Sequence, residues 1–203
     1  DWAKGIDAGG RPIVDPSAVA QTKPGRRVCP SNMGGMNGSW TGAYDPPQNL
    51  IFVPVVESCQ SLTKGIAVYM KGLPYYGGMP AMVDANAGKA FGTISAIDVA
   101  TGQVKWRYRD AKPMMAGVVA TAGGVMFTST LNGEAIALDQ KTGDKIWSFR
   151  MGGAGRGQPI VYQIDGETYV AIPSGGWASL DMMSGEYSMA PEGGQLFVFK
   201  LDK

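Results

Sequence analysis

The side chains of this 203-residue chain that could carry chemistry are two cysteines, a few carboxylates and one asparagine in a glycine-rich run, with no histidine anywhere. Without histidine, these residues cannot form a Ser-His-Asp triad, a Cys-His dyad, a His-ligated zinc or a Cys-x-x-Cys-His haem attachment. Asp45, Glu57, Asp84 and Asp181 have no paired spacing that would build a cation site, so they read as hydrated loop carboxylates. The Asn37 amide can donate and accept at once, which suits a ligand rich in carbonyl and carboxylate oxygens. The same Asn among glycines equally serves as a left-handed turn residue. Met114, Met115, Met182 and Met183 could line a malleable apolar pocket mouth, although methionine is more commonly core filler. Cys29 and Cys59 are either bonded or reduced and buried.

These residues lie in or beside long irregular stretches, Pro30 to Gly42, Ser61 to Phe91 and Gly175 to Gly194, each rich in Gly, Met and Tyr. Loops of such length inside a compact domain usually carry function. Strands must hold them in place. A segment occurs twice, AIDVATGQVKW at 96–106 and ALDQKTGDKIW at 137–147, offset by 41 residues. A strand that turns at Asp-x-x-Thr-Gly and returns to close on Trp, repeated at that period, is the signature of a β-propeller blade. Further strands are predicted at 50–56, 117–122, 124–130, 158–164, 167–173 and 195–201, about ten residues apart, a meander rather than βαβ units. Turns are expected at Gly123-Gly124, Asn132-Gly133, Thr142-Gly143 and Asp165-Gly166. One blade is complete, a second starts at Gln158, and a partial one ends at Trp106. GIDAGGRPIV at 5–14 reads as a shortened copy of the same turn. The fold class is therefore all-β, and residues 1–203 belong to a single propeller domain.

The charge is close to balanced, 18 Lys plus Arg against 17 Asp plus Glu, and no basic stripe suits a phosphate backbone, so no nucleic acid is expected. Apolar runs such as LIFVPVV are of strand length, far below the roughly 20 residues of a membrane helix, so no membrane span is expected. The chain starts at Asp1, so a leader peptide was either removed or lies upstream.

CPSNMGGMNGSWTGAYDP at 29–46, LIFVPVVESC at 50–59, AGVVATAGGVMF at 116–127, QPIVYQIDGETYVAIPSGG at 158–176 and the final QLFVFKLD extend the argument beyond the repeats. Together with WAKGID at 2–7, this set resembles the C-terminal part of the quinoprotein alcohol dehydrogenases of the methanol dehydrogenase type. Their large subunit is an eight-bladed propeller that holds pyrroloquinoline quinone (PQQ). The resemblance implies about three to four blades here, with the remaining N-terminal part of the propeller as partner. It implies a periplasmic enzyme that oxidises a small primary alcohol to an aldehyde and passes electrons to cytochrome c. It also implies Ca²⁺ or a lanthanide, with the metal ligands and the catalytic Asp outside these residues. By position, it gives Asn37 a hydrogen bond to the cofactor and the main chain at Met115, where many members carry Trp, a cofactor contact. It makes Trp177 a wall of the substrate pocket, Trp106 and Trp147 wedges between blades, and Cys29–Cys59 a disulfide, which fits an oxidising compartment. A competing class is a non-catalytic propeller scaffold for protein assembly, such as the outer-membrane assembly lipoprotein whose blades carry a similar Asp-x-x-Thr-Gly-x-x-x-Trp repeat.

Overall fold

Short β-branched and aromatic runs, broken by Gly and Asn turns, favour strands whose two faces are both covered. The computed structural model describes residues 1–21, 27–31, 34–36, 41–65, 67–72, 75, 78–81, 91–175 and 194–201. Its strands are β1 (Ala3–Ile6), β2 (Pro12–Val14), β3 (Ala43–Asp45), β4 (Leu50–Glu57), β5 (Ser61–Lys64), β6 (Gly78–Ala81), β7 (Phe91–Asp98), β8 (Val104–Asp110), β9 (Val119–Ala120), β10 (Val125–Ser129), β11 (Glu134–Asp139), β12 (Lys145–Arg150), β13 (Ile160–Ile164), β14 (Glu167–Ser174) and β15 (Gln195–Leu201). Among the described residues the one helical element is a 3-10 turn at Pro16–Ala18, capped by the Asp15 side chain on the Ser17 N–H. None is long and apolar enough to cross a membrane.

Three sheets stand side by side as blades. The first has the order β3-β4-β7-β8, the second β9-β10-β11-β12 and the third β13-β14-β15, and all pairings within them are antiparallel. The first repeat therefore closes a complete four-stranded blade, not a partial one. Two features hid it in the sequence. Its first strand is only three residues long, and β4 and β7 are separated by an insertion carrying its own hairpin, β5 with β6, registered Ser61↔Ala81 to Lys64↔Gly78. β1 and β2 pair around Asp7, whose carboxylate accepts the N–H groups of Gly9 and Arg11, so GIDAGGRPIV does form a shortened version of the repeat turn.

The two-residue alternation of strands fixes what each sheet buries. Met126, Ile136 and Leu138 of the second blade pack toward the first, against Leu50, Phe52, Ile94 and Ala96, with Met114 and Val118 in the same cluster. Their neighbours Phe127, Ala135 and Ala137 face the other way, onto Met151, Val170 and Ile172. Burying each large apolar side chain contributes about 1.5–3 kcal/mol, so the two inter-blade cores supply most of the cohesion.

Each repeat turn joins the last two strands of its own blade, and the second turn also receives the tryptophan of the first blade. Asp98 accepts the N–H groups of Ala100 and Thr101, and Asp139 those of Lys141 and Thr142, so each turn is held by its own aspartate. Trp106, in register with Ala96 on β8, reaches the second of these turns. Its indole N–H donates to the Gln140 carbonyl at 3.0 Å, and its ring stacks on Phe52 with centroids 5.6 Å apart. Gly143 lies beneath the ring at φ +79°, and a Cβ there would come within 2.5 Å of Cε3 and 2.7 Å of Cδ2.

Tyr108, two residues along, packs against the same core, and its hydroxyl donates to Asp110 at 3.3 Å. Burial, reinforced by the Asp110 charge, pushes its pKa up to about 12 from an ordinary 10.0. The unfolded chain releases this proton near pH 10 while the folded chain retains it, so folding stability is lost as pH rises from 10 to 12. Alkaline unfolding followed by circular dichroism should be shallower over that window in Tyr108→Phe than in the unsubstituted protein.

Candidate functional site

Each blade runs from an inner to an outer strand, so its connections divide between two ends. The short turns at Asn49, Gly123-Gly124, Thr142-Gly143 and Asp165-Gly166 lie at one end, where Gln140 donates its N–H to the Gly124 carbonyl and its side-chain amide to the carbonyls of Thr121 and Val125. At the opposite end β4 and β14 finish, at Glu57 and Ser174, and there run the crossovers 111–118 and 151–159 that lead from one blade to the next. Backbone hydrogen bonds tie these together: Met151 N–H to the Gly133 carbonyl, Gly155 N–H to Thr130 and Gly175 N–H to Ala154.

The cysteines staple the entry to this end. Cys29 and Cys59 form a disulfide across 30 residues, with Cα atoms 4.4 Å apart. Around it Val28 and Gln60 exchange both backbone hydrogen bonds, Ser31 N–H donates to the Ser58 carbonyl, and Gly35 and Val56 exchange a further pair. The Ser31 and Ser58 hydroxyls meet at 2.6 Å in a buried position. Residues 28–31 and 34–35 thus lie along the end of β4, ahead of Met36. Asn37 itself lies outside the described residues, as do Trp177, Asp84, Asp181, Met182 and Met183.

The crossover into the second blade carries Met115. Asp110 holds its start by accepting the Lys112 N–H at 2.9 Å. Met114 is buried in the core between the first two blades, and Met115 is equally buried against Val56 and Leu131. Both methionines are core, and neither side chain lines a pocket mouth. The whole residue is enclosed, main chain included, and its carbonyl meets no donor among the described residues.

Two residues further on, three blades converge at Gly117. Its carbonyl accepts the Thr128 hydroxyl at 2.9 Å, and the next N–H, of Val118, donates to the Thr41 carbonyl at 3.0 Å. A Cβ on Gly117 would lie 2.8 Å from the Thr41 hydroxyl and 3.2 Å from Gln158 Cβ and Cγ, so only glycine lets the two neighbours close over it. The Thr41 hydroxyl donates to Gln158 Oε1 across that closure. Thr41 precedes β3 and Gln158 precedes β13, and both side chains are exposed. Sequence reasoning passed over this pair. The signal was available in the glycine beside each inner-strand entry, in TGAY, AGVV and RGQP, but 117 residues separate the two partners.

The arrangement can bind rather than react. The exposed Gln158 amide keeps its N–H groups to donate and Thr41 orients it, a donor fitted to an oxygen-rich organic ligand. Among the described residues no three His, Cys, Asp or Glu side chains converge as metal ligands.

A family model described as outer membrane protein assembly factor BamB matches residues 90–188, the span that holds both repeats. Other likenesses run the length of the chain. Quinoprotein alcohol dehydrogenase PedH of Pseudomonas putida is 34% identical over 100% of this chain and 35% of its own length. Methanol dehydrogenase [cytochrome c] subunit 1 of Paracoccus denitrificans is 31% identical over 90% of this chain and 30% of its own. The structure of a europium-containing methanol dehydrogenase superposes with a TM-score of 0.85 at 28% identity, covering 98% of this chain and 39% of that one. The chain thus spans about a third of the length of the curated relatives it matches. Whole-chain likeness of this kind, on a matching arc of propeller blades, places the chain in the PQQ-dependent quinoprotein alcohol dehydrogenase family.

Proposed function

We propose that residues 1–203 form the C-terminal arc of a single-domain, eight-bladed periplasmic propeller that oxidises a primary alcohol to an aldehyde and passes the electrons to cytochrome c. The observation that carries the reading is the convergence at one end of the arc. The described neighbours of Asn37 and Trp177, Met36 and Gly175, lie at the same end as Met115, Thr41 and Gln158. When bound there, PQQ supplies the two-electron acceptor, and Ca²⁺ or a lanthanide held by residues outside this chain supplies Lewis acidity.

This chain's contribution is to bind and orient. The Met115 carbonyl, the Asn37 amide and the Gln158 amide would hold the cofactor's polar rim, and Trp177 would wall the alcohol pocket. Packing of Met114 and Met115 fixes the crossover that bears the carbonyl, and the disulfide fixes the approach to Asn37. That disulfide also supports the periplasmic reading, since such bonds persist in oxidising compartments.

A scaffold reading, in which the propeller assembles other proteins and performs no oxidation, draws only on the description of the model that matches residues 90–188. It accounts for the repeats but leaves the stapled segment before β3 without a purpose. Reconstitution of the complete polypeptide with PQQ and either Ca²⁺ or a lanthanide decides between the two readings. Quinone absorbance and dye-linked alcohol oxidation are expected, and the absence of both would favour the scaffold. In the same preparation, Gln158→Glu replaces a donor by a charge that repels carboxylates. It should weaken PQQ binding by about tenfold, roughly 1.4 kcal/mol, with little change in melting temperature because the side chain is exposed.

A further inference from the structure

The inner strand of each blade is entered past a glycine: Gly42 before β3, Gly117 before β9 and Gly157 before β13. Two of these glycines press the chain onto the second strand of its own blade. A Cβ on Gly42 would lie 2.6 Å from the Phe52 carbonyl oxygen, and one on Gly157 would lie 2.3 Å from Pro173 Cγ. These close approaches fix the backbone beside Thr41 and beside Gln158. Gly117 differs, because the side chains that close over it, Thr41 and Gln158, belong to the blades on either side.

The place of the Thr41 hydroxyl is set from the buried interior outward. Thr128 on β10 is fully buried, and its hydroxyl holds the Gly117 carbonyl at 2.9 Å. The following N–H, of Val118, holds the Thr41 carbonyl at 3.0 Å. Thr41 in turn donates its hydroxyl to Gln158 Oε1. An exposed glutamine with no such partner samples several rotamers and can offer a ligand either its oxygen or its nitrogen. With Oε1 engaged by a donor, the amide keeps only its N–H groups for a ligand.

We infer that Thr41 is a positioning residue of the cofactor site: it makes Gln158 a donor only, so the cofactor atom that Gln158 meets is an acceptor, a carboxylate or carbonyl oxygen and not an N–H. The side chain is ordered before the ligand arrives, so the cost of immobilising it does not fall on binding. Loss of the Thr41 hydroxyl is therefore felt as affinity for the cofactor and not as stability of the fold, since both side chains are exposed. The inference rests on the reading of Gln158 as a cofactor contact and deepens it by naming the group that orients the amide and the kind of atom it recognises.

Equilibrium dialysis of the complete polypeptide against PQQ and Ca²⁺, read by the absorbance of the bound quinone, tests this without turnover. Thr41→Val keeps the shape of the side chain and deletes the donor, and should weaken PQQ binding about tenfold, the upper end for one hydrogen bond, with an unchanged melting temperature. Thr41→Ser should bind as the unsubstituted protein does. In a Gln158→Ala background Thr41→Val should cause no further loss, because its effect passes through the amide. Gln158→Glu, which can accept but not donate, should bind PQQ more weakly than Gln158→Ala. Unchanged affinity in Thr41→Val, or an equal loss in both backgrounds, would overturn the positioning role. Tighter binding by Gln158→Glu than by Gln158→Ala would overturn the assignment of an acceptor atom. Each of these results leaves PQQ bound to the unsubstituted protein, so it is distinct from a failure of reconstitution, which would overturn the cofactor reading itself and this inference with it.

Discussion

Trp106→Ala is expected to lower the unfolding free energy by about 4 kcal/mol, within the range measured for aromatic truncation in cores. The indole is the contact that passes from the first blade into the loop structure of the second. It stacks on Phe52, itself fully buried, and packs on the cluster of Leu50, Ile94, Met126 and Leu138. Its N–H holds the Gln140 carbonyl, and the Gln140 side chain in turn holds both strands of the β9–β10 hairpin. Removing the ring leaves a cavity and an unpaired carbonyl together, and both penalties add to the lost transfer energy. Gly143→Ala attacks the same contact from the other side, through a Cβ 2.5 Å from the ring on a backbone at φ +79°. It should cost about 2–3 kcal/mol alone, and clearly less in a Trp106→Ala background, because the clash disappears with the ring. Urea unfolding of the four proteins measures the cycle. Strict additivity would mean that the tryptophan and the glycine act separately.

The repeat made that contact legible in advance, because Trp and Gly recur at fixed distances from an aspartate that visibly organises a turn. The positive φ values of Gly102, Gly124, Gly133, Gly143 and Gly166 lie where glycine punctuated the strands. Less was legible where a blade departs from the even spacing. The Ala43–Asp45 strand is too short to show alternation, and the β5–β6 hairpin lies in a stretch whose Gly and Tyr content reads as loop. The resemblance made Trp147 a wedge like Trp106, and its ring does cross to Phe199 of the third blade, but among the described residues no turn glycine lies beneath it. The candidate site divides in the same way. Met115 lies on the crossover between the first two blades, and only packing reveals that its side chain belongs to the core with Val56 and Leu131. The pairing of Thr41 with Gln158 depends on three blades meeting, which no spacing within one blade encodes.

Eliminating the Cys29–Cys59 bond with Cys29→Ser/Cys59→Ser should cost about 3.5 kcal/mol, the chain-entropy value for a loop of this length. The bond closes 30 residues that include β3, β4 and the segment leading to Asn37. Opening it frees the denatured chain far more than it strains the native one. In the folded protein the ribbon keeps the backbone pairs of Val28 with Gln60 and Gly35 with Val56, the Ser31–Ser58 hydroxyl contact, and the Asp1 carboxylate, which accepts the Cys29 N–H. The loss should therefore fall on global stability with little change in local geometry. Melting temperature should drop by several degrees in the double variant, and dithiothreitol should lower that of the unsubstituted protein but not of the variant. Exchange of the amides of residues 28–35 should rise no more than that of β10 and β11, whose cores lie elsewhere. A selective rise in 28–35 alone, with an unchanged melting temperature, would show instead that the disulfide serves to hold the ribbon against β4, and that the approach to Asn37 depends on it directly.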